Sequence, residues 1–443
     1  MIYQGAIDDQ FAEGAEKPQP TEHYLGDALK QFLAGQPIAK ARTSSHGCRI
    51  AYAKVGQGSD EPDYVTQIGP LLRKNCVECH RPGGIAPWSM TDHRRVANYA
   101  DMIEEVLLTR RMPPWDQHPD YGDFLFAHRL TRPEIQTLLR WVKSGAPRGT
   151  GPDPLEQPLP ELSSWRMGTP DEVLKFPEPQ KVAATGVEPY RYLTLKNPFT
   201  NDVWLEGLDV KPGNGKVVHH IILFAKWPGG PDGGPGGGGG RGVLMTGWAP
   251  GSTTWKYPQG VARLLPANAT LTAQVHYTTC GSEQIDQSEI AFYLSKGPHE
   301  RSIETRNAAE WNLNIPAGSE DARHVATYAF RKPATLYSFM PHMHFRGKWM
   351  RYELLLPNGQ KETLLYVPRF DFNWQLSYYL KQPRHVPAGS WLMVTGGHDN
   401  SKANPANPDS TKTVFFGEQT WEEMFIGWFE VADEPQSPVT AAQ

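Results

Sequence analysis

Residues 341–347 read PHMHFRG. In a β-strand, side chains two apart share a face, so His342 and His344 would lean out together. Other histidines stand in similar apolar settings, with His219 and His220 in VVHHIILF and His276 in TAQVHYTT. A buried imidazole needs a partner. Any one of these alone reads as a satisfied core histidine. Five in three strand-like settings read as metal ligands and suit copper, zinc or iron. No carboxylate stands beside them in these strands, which weakens an iron facial triad. Adjacent residues of a regular strand face opposite ways, so His219 and His220 share an ion only if the strand end is irregular or different ring nitrogens bind. His276 would complete a three-histidine set. His342 and His344 are one ligand short. Met424, in GEQTWEEMFIGWFEV (417–431), offers a thioether. That soft donor selects copper(I) over zinc, although alone it reads as a core residue.

A second constellation is CVECH (76–80). In this spacing Cys76 and Cys79 can form thioethers to haem vinyls while His80 ligates iron. A redox dithiol or half a zinc site would use the same residues, but no second cysteine pair follows and the local pattern is helical. Candidate sixth ligands are Met90, Met102, Met112, His93 and His118. A soft methionine suits a cytochrome of raised potential. Met112, in RRMPPW, follows a helix where two prolines would stiffen the backbone. Met90 and Met102 read as core. CHRPGG and MPPW together resemble the cytochrome c domains fused to bacterial oxidases.

The elements that must position these groups fall into blocks. YVTQIGPLLRKNC, DHRRVANYADMIEEVLLTRR and TRPEIQTLLRWVKSGAP are helical patterns. The last has Thr131 as cap, Glu134 three residues on and Gly145 at its end. They make a small all-α domain over 56–148. The proline-rich 149–164 reads as a linker. Beyond it, short alternating apolar runs punctuated by Gly, Pro, Asn and Asp predict two antiparallel, jelly-roll-like β-sandwiches, 165–298 and 299–435, before a tail at 436–443. The run PGGPDGGPGGGGGRG (228–242) lacks the Gly-Lys-Ser/Thr ending of a phosphate loop and reads as a surface loop. Residues 1–55 carry a strand and a helix, TEHYLGDALKQFLAG, too little to bury a core. They resemble the C-terminal end of an α/β thioredoxin-like redoxin domain, so the native chain is expected to extend upstream.

The chain has 443 residues and a net charge of −4 without a basic run, which argues against nucleic acid as partner. No apolar stretch is long enough to span a membrane. Four cysteines do not make a disulfide scaffold; Cys48 and Cys280 are expected as thiols and not as a bridge. The first residues lack the pattern of a signal peptide.

The histidine pair, VHY, HxH and late Glu-Met, in this order and spacing, resemble the copper-dependent, ascorbate-type monooxygenases that include the peptidylglycine α-hydroxylating and dopamine β-hydroxylating enzymes. The resemblance covers roughly residues 165–432. It implies two copper ions, one per sandwich, across a solvent-filled cleft. His219, His220 and His276 match the ligands of an electron-storing copper, and His342, His344 and Met424 those of the oxygen-activating copper. Where the peptide-hydroxylating members have a carboxylate-binding arginine, an asparagine and a tyrosine, this chain has Met340, Ile426 and Trp428, so a peptide substrate is in doubt and the pocket is expected to be apolar. Gln274 and Tyr277, which flank His276, are expected to support it or to pack in the core. His398, Asp399 and Asn400 are read as turn residues.

Together these features imply a periplasmic copper monooxygenase hydroxylating a C–H bond of a small apolar molecule with O2. A covalent haem c, fed by ascorbate or a periplasmic redox protein, would deliver the electrons. The rival is a non-catalytic haem and copper electron carrier, which has no use for the thioether and an open position. A zinc hydrolase would find Met424 a poor ligand.

Overall fold

The computed structural model describes residues 2–12, 15–17, 19–43, 61–159, 165–230 and 242–434. The fold is dominated by β-sheet, with five α-helices among the described residues. Contacts divide the chain into two units, Met1–Trp115 with Ala127–Leu162, and Asp116–Phe126 with Ser163–Gln443.

In the first unit, a π-helical turn Tyr64–Ile68 runs into the helix Gly69–Asn75. It packs with Ala100–Leu108 and Arg132–Lys143 around Tyr64, Leu72, Ile103, Leu138 and Trp141. The last helix starts as its sequence predicts. Thr131 Oγ1 accepts from the Glu134 N–H, and the Glu134 carboxylate accepts from the Thr131 N–H at 2.7 Å. The stretch expected as one helix from residue 92 is two, His93–Asn98 and Ala100–Leu108, broken at Tyr99, whose ring stacks on Trp88 at 4.0 Å. The proline-rich stretch expected as a linker is packed over 153–158. Asp153 is buried and accepts from the Tyr64 hydroxyl at 2.8 Å and the His93 N–H at 2.7 Å, while Arg73 donates to the Gln157 and Pro158 carbonyls. A buried carboxylate with three donors anchors this segment whatever its proline content. Near the N-terminus, the helix Tyr24–Leu33 buries only Ala28 and leaves Phe32 and Leu33 exposed. Its N-cap is His23, and the Thr21 hydroxyl two residues earlier bonds to Asp9.

In the second unit, a four-stranded antiparallel sheet runs in the order Arg191–Leu195, Thr270–Tyr277, Val218–Lys226, Val243–Trp248. It packs on Val261–Leu265, Val203–Lys211, Glu289–Leu294 and Glu172–Lys175. Alternate residues such as Ile221, Leu223, Leu271 and Val275 from one sheet meet Leu205, Ile290 and Phe292 from the other. A second sandwich follows, with Ala322–Ala329, Trp391–His398, Gly347–Leu355 and Lys361–Val367 in one sheet. Its other sheet holds Tyr378–Val386, Ala334–His342, Ile426–Asp433 and Arg301–Ala309.

The two sandwiches are not independent beads. Arg301–Ala309 pairs in parallel with Val261–Leu265, so one eight-stranded sheet runs through both. Across this seam the buried Arg263 donates to Glu430 at 2.9 Å, to Thr305 at 3.0 Å and to the Tyr257 hydroxyl at 2.9 Å, while Ser338 donates to the other Glu430 oxygen at 2.8 Å. The segment 116–126, expected within the helical domain, belongs to this second unit. Its His118 N–H donates to the Tyr366 carbonyl, and Phe124 is buried against Tyr378.

Candidate metal centre

The irregularity that His219 and His220 require is present. In the ladder between Val218–Lys226 and Thr270–Tyr277, His276 faces His220 and Tyr277 faces Val218, so His219 is the extra residue of a β-bulge. A bulge re-aims a side chain that regular alternation would send to the other face. Consequently His219, His220 and His276 converge, each offering a ring nitrogen within 4.8 Å of the others. The Nδ1 atoms of His219 and His220 face each other at 3.3 Å, and His276 Nδ1 is buried without a hydrogen-bond partner. Three clustered imidazoles with an orphaned buried nitrogen fit a cation that accepts nitrogen donors. Burial lowers their pKa, to about 4 for His219 and about 3 for His276, so all three are neutral and ligand-ready at pH 7. The Tyr190 ring packs against both His220 and His276, at 5.6 and 4.7 Å. Of the expected supporting residues, Gln274 donates to the Tyr192 hydroxyl and Tyr277 to the buried Asp286.

His342 ends the strand Ala334–His342 and His344 lies two residues beyond it, with ring centroids 5.3 Å apart. His342 Nδ1 meets Gln375 Oε1 at 2.5 Å, and His344 Nδ1 meets the Glu422 carbonyl at 3.2 Å. Those acceptors require a proton on each Nδ1, which leaves both Nε2 lone pairs for a metal. Burial lowers the pKa of both, that of His342 to about 3. The antiparallel register pairs His342 with Ile426 and Met340 with Trp428, and Met424 lies two residues before the paired strand. Met424, His342 and His344 line one cavity. The donor set of two imidazoles and a thioether fits copper(I).

Glu423 holds this arrangement together. Fully buried, it accepts from the His344 N–H at 2.8 Å and the Arg346 N–H at 2.6 Å, and His398 Nε2 lies 3.3 Å away. Burial works against its charge, but His398, His344 and the Arg346 N–H prevail and hold its pKa below the usual carboxylate value. His398 and Asn400 are buried here as scaffold. Asn400 donates to the Pro316 and Lys412 carbonyls and accepts from Arg346.

His220 of the first cluster lines the same cavity as His342, His344 and Met424 of the second. The Phe372 ring stacks on His219 at 4.9 Å and meets His344 edge-on at 6.0 Å. The cavity, about 170 Å³, runs beside them. Its apolar lining is Ile222, Phe224, Leu244 and Trp248 from the first sandwich and Met340, Phe416, Ile426 and Trp428 from the second, most of them packed in one cluster. Among the described residues, Glu418 is its one carboxylate, bonded to the Tyr192 hydroxyl at 2.9 Å, and no lysine or arginine lines it.

In the helical unit, His80 Nδ1 is 3.0 Å from the Trp88 carbonyl, so its Nε2 is the nitrogen left for iron. Cys76 and Cys79 are free thiols, and burial pushes the Cys76 pKa up to about 12. This donor set fits a covalent haem. Met112 follows the helix Ala100–Leu108, with its N–H toward the Val106 carbonyl at 3.3 Å. Met90 is in the helical core. His93 Nε2 is engaged by the Ala146 carbonyl at 2.8 Å, and His118 stacks on Tyr366 in the other unit. Cys280 is an exposed free thiol, while Cys48 lies outside the described residues.

Sequence spacing marked the five histidines and Met424 but not Gln375, Phe372, Tyr190 or Glu423. Only Glu423, beside Met424, sat in a quoted motif. The others come from segments whose approach depends on tertiary folding.

No protein-family model and no curated protein matches the chain. Among solved structures it is similar to infectious bursal disease virus, Gx strain, at 5% identity over 62% of this chain and 76% of that one, with a TM-score of 0.19. It is also similar to PBCV-1 VP54 fitted into the virophage Sputnik, at 8% identity over 65% and 99%, again with a TM-score of 0.19. Likenesses this weak carry no inference about function.

Proposed function

We propose that the chain is a periplasmic copper-dependent monooxygenase that hydroxylates a C–H bond of a small apolar substrate, with electrons delivered through a covalent c-type haem. The observation that carries the proposal is the pairing of a three-nitrogen cluster, His219, His220 and His276, with a cavity lined by His342, His344 and Met424 beside apolar walls. Copper, when bound, would supply one-electron chemistry with dioxygen at the His342, His344 and Met424 site and store the second electron at the three-histidine site. The balance is one C–H bond, one O2, two electrons and two protons, giving one alcohol and one water. Ascorbate or a periplasmic redox protein is the class of donor.

The protein's own residues prepare this chemistry. Gln375 and the Glu422 carbonyl fix the tautomers of His342 and His344, and burial keeps all five imidazoles neutral. Phe372 stacks on His219 and meets His344 edge-on, so one ring touches a histidine of each cluster. Met340, Ile426 and Trp428 make the substrate wall. In the helical unit the Trp88 carbonyl orients His80. Haem attachment and copper loading both belong outside the cytoplasm, which supports the periplasmic assignment.

The test is metal and haem content followed by oxygen uptake after reduction. About two copper ions and about one covalent haem per chain, with uptake stimulated by an apolar C–H compound, is the expected result. Haem without copper, or bound copper inert to oxygen when reduced, would move the assignment to an electron carrier.

A further inference from the structure

Behind Met340 and Trp428 lies a second cavity, of about 50 Å³, whose lining is rich in hydroxyl groups. We infer that it is a chamber of ordered water that passes protons through Ser377 to the cavity lined by His342, His344 and Met424. The hydration of the chamber is independent of any metal; the proton role rests on the oxygenase reading of the site.

Three segments step from one cavity to the other. Alternate residues of a strand share a face. In Ala334–His342, His342 lines the metal-side cavity, Met340 lines both and Ser338 lines the second. In Ile426–Asp433 the same steps are Ile426, Trp428 and Glu430. Leading into Tyr378–Val386 they are Gln375, Ser377 and Tyr379. The ladders pair Ser338 with Glu430 on one side and with Tyr379 on the other, so the three rows are neighbours. At the middle step two of the three residues are the apolar Met340 and Trp428. Leu244 and Gly247 complete the shared wall, and Gly247 brings no side chain to it. Among the described residues, Ser377 is therefore the one hydroxyl that lines both spaces.

Two buried polar atoms in the chamber lining, Thr254 Oγ1 and Trp255 Nε1, have no hydrogen-bond partner. Leaving such groups unbonded is costly, and protein interiors answer the cost with ordered water. One buried water needs about 10–15 Å³ and about two to four polar partners. The chamber supplies both, with the hydroxyls of Thr246, Thr305, Tyr257 and Tyr379 also in its lining. Tyr379 donates to the Thr253 carbonyl at 3.3 Å, and burial raises the pKa of Tyr257 and Tyr379, so both keep their protons. Glu430 is held by Arg263 and Ser338 and fixes the chamber wall. Thr253, Thr254 and Trp255 are half-buried and precede the exposed Lys256, which brings this end of the chamber near solvent. At the other end, Met340 has no exchangeable proton and Trp428 only donates. A serine hydroxyl both accepts and donates, so a proton taken by Ser377 Oγ from chamber water is matched by one given on the metal side, and the serine is left unchanged. The hydroxylation consumes two protons for each O2, and both end in the water formed from the second oxygen.

Hydration is tested on the copper-free full chain. Thr254→Val keeps the side-chain shape and removes the hydroxyl. If water bonds that hydroxyl, the melting temperature should fall by about 2–4 °C; a rise means that the group was dry and overturns the chamber. A crystal structure of the unaltered chain decides the same point without a variant, with ordered water expected on Trp255 Nε1 and Thr254 Oγ1. Proton transfer is tested by reoxidising the copper-loaded, ascorbate-reduced chain with O2 alone, a reaction in which O2 takes two electrons and two protons to give hydrogen peroxide. Ser377→Ala should slow reoxidation at least about tenfold and raise its solvent deuterium isotope effect, with bound copper unchanged. Ser377→Thr, which keeps the hydroxyl, should restore both. An isotope effect unchanged in Ser377→Ala means that protons enter elsewhere, at the edge carrying Glu418, and overturns the role of Ser377. Ordered water in the chamber with no reoxidation of the unaltered protein keeps the chamber but refutes the oxygenase reading and the proton role with it, so the two failures are distinguishable.

Discussion

Glu423→Gln is the substitution that best probes how the second metal site is built. Glu423 spans two backbone donors with two oxygens, accepting from the His344 N–H at one and the Arg346 N–H at the other. Glutamine has the same shape but one acceptor. Its amide N–H₂ must then face one of those backbone N–H groups, donor to donor. A hydrogen bond to a charged group contributes about 1.5–3 kcal/mol, and leaving its buried partner unpaired adds desolvation, so a loss of about 2–4 kcal/mol is expected. His398 Nε2, 3.3 Å from the carboxylate, loses a charged partner in the same step. For a unit of this size each kcal/mol moves the melting temperature by about 2–4 °C, so calorimetry of the metal-free protein should show a drop of about 4–16 °C.

The same change should act unequally on the metals. Glu423 fixes the turn that carries His344 and lies next to Met424, but it does not touch His219, His220 or His276. Copper should be weakened at the methionine site and retained at the three-histidine site, which a copper titration followed by electron paramagnetic resonance can resolve. A melting temperature within about 1 °C of the unaltered protein would refute the bidentate role. So would equal loss of copper from both sites.

His276→Ala should lower bound copper from about two ions to about one per chain while the haem absorbance is unchanged, as metal analysis and visible spectra would show. Arg263→Met should destabilise the second unit by about 3–5 kcal/mol in denaturant unfolding, because it strands Glu430 at the seam; adding Glu430→Gln should recover part of the loss. The Glu134 carboxylate is held below its ordinary 4.5 chiefly by the Thr131 N–H. Its contribution is therefore present above pH 4.5 and lost as pH falls through the lowered value. Glu134→Ala should cost the helix Arg132–Lys143 about 0.5–1 kcal/mol of amide-exchange protection at pH 7, and that difference should vanish in acid.

Period and punctuation made much of the fold readable. The capping box at Thr131 and Glu134 involves residues three apart, so a local rule finds it. Alternation in VVHHIILF and TAQVHYTT marks strands for the same reason. The seam is different. Arg301–Ala309 and Val261–Leu265 are joined in parallel through pairs forty residues apart, and nothing in either segment names the other. Packing of 153–158 was equally hidden, because the decisive group is one buried aspartate amid prolines that by composition read as a spacer.

The metal site divides along the same physical line. Ligands carry their chemistry in their own side chains, so residue type and spacing single out all five histidines. What makes them a site is set by distant backbone. The bulge at His219 is a property of the ladder with Thr270–Tyr277, since only the pairing of His276 with His220 and Tyr277 with Val218 reveals the extra residue. Phe372 and Gln375 reach the two clusters from one loop before Tyr378–Val386, and each acts on a histidine at least 28 residues away in sequence. That loop carries no metal-binding residue type at either position. A loop rebuilt with the same histidines would therefore be expected to keep the metals' identity while changing the tautomer at His342 and the medium between the clusters. Under the proposed two-copper reading, ligand spacing would select the ion and the 372–375 loop would set the contact between the two sites.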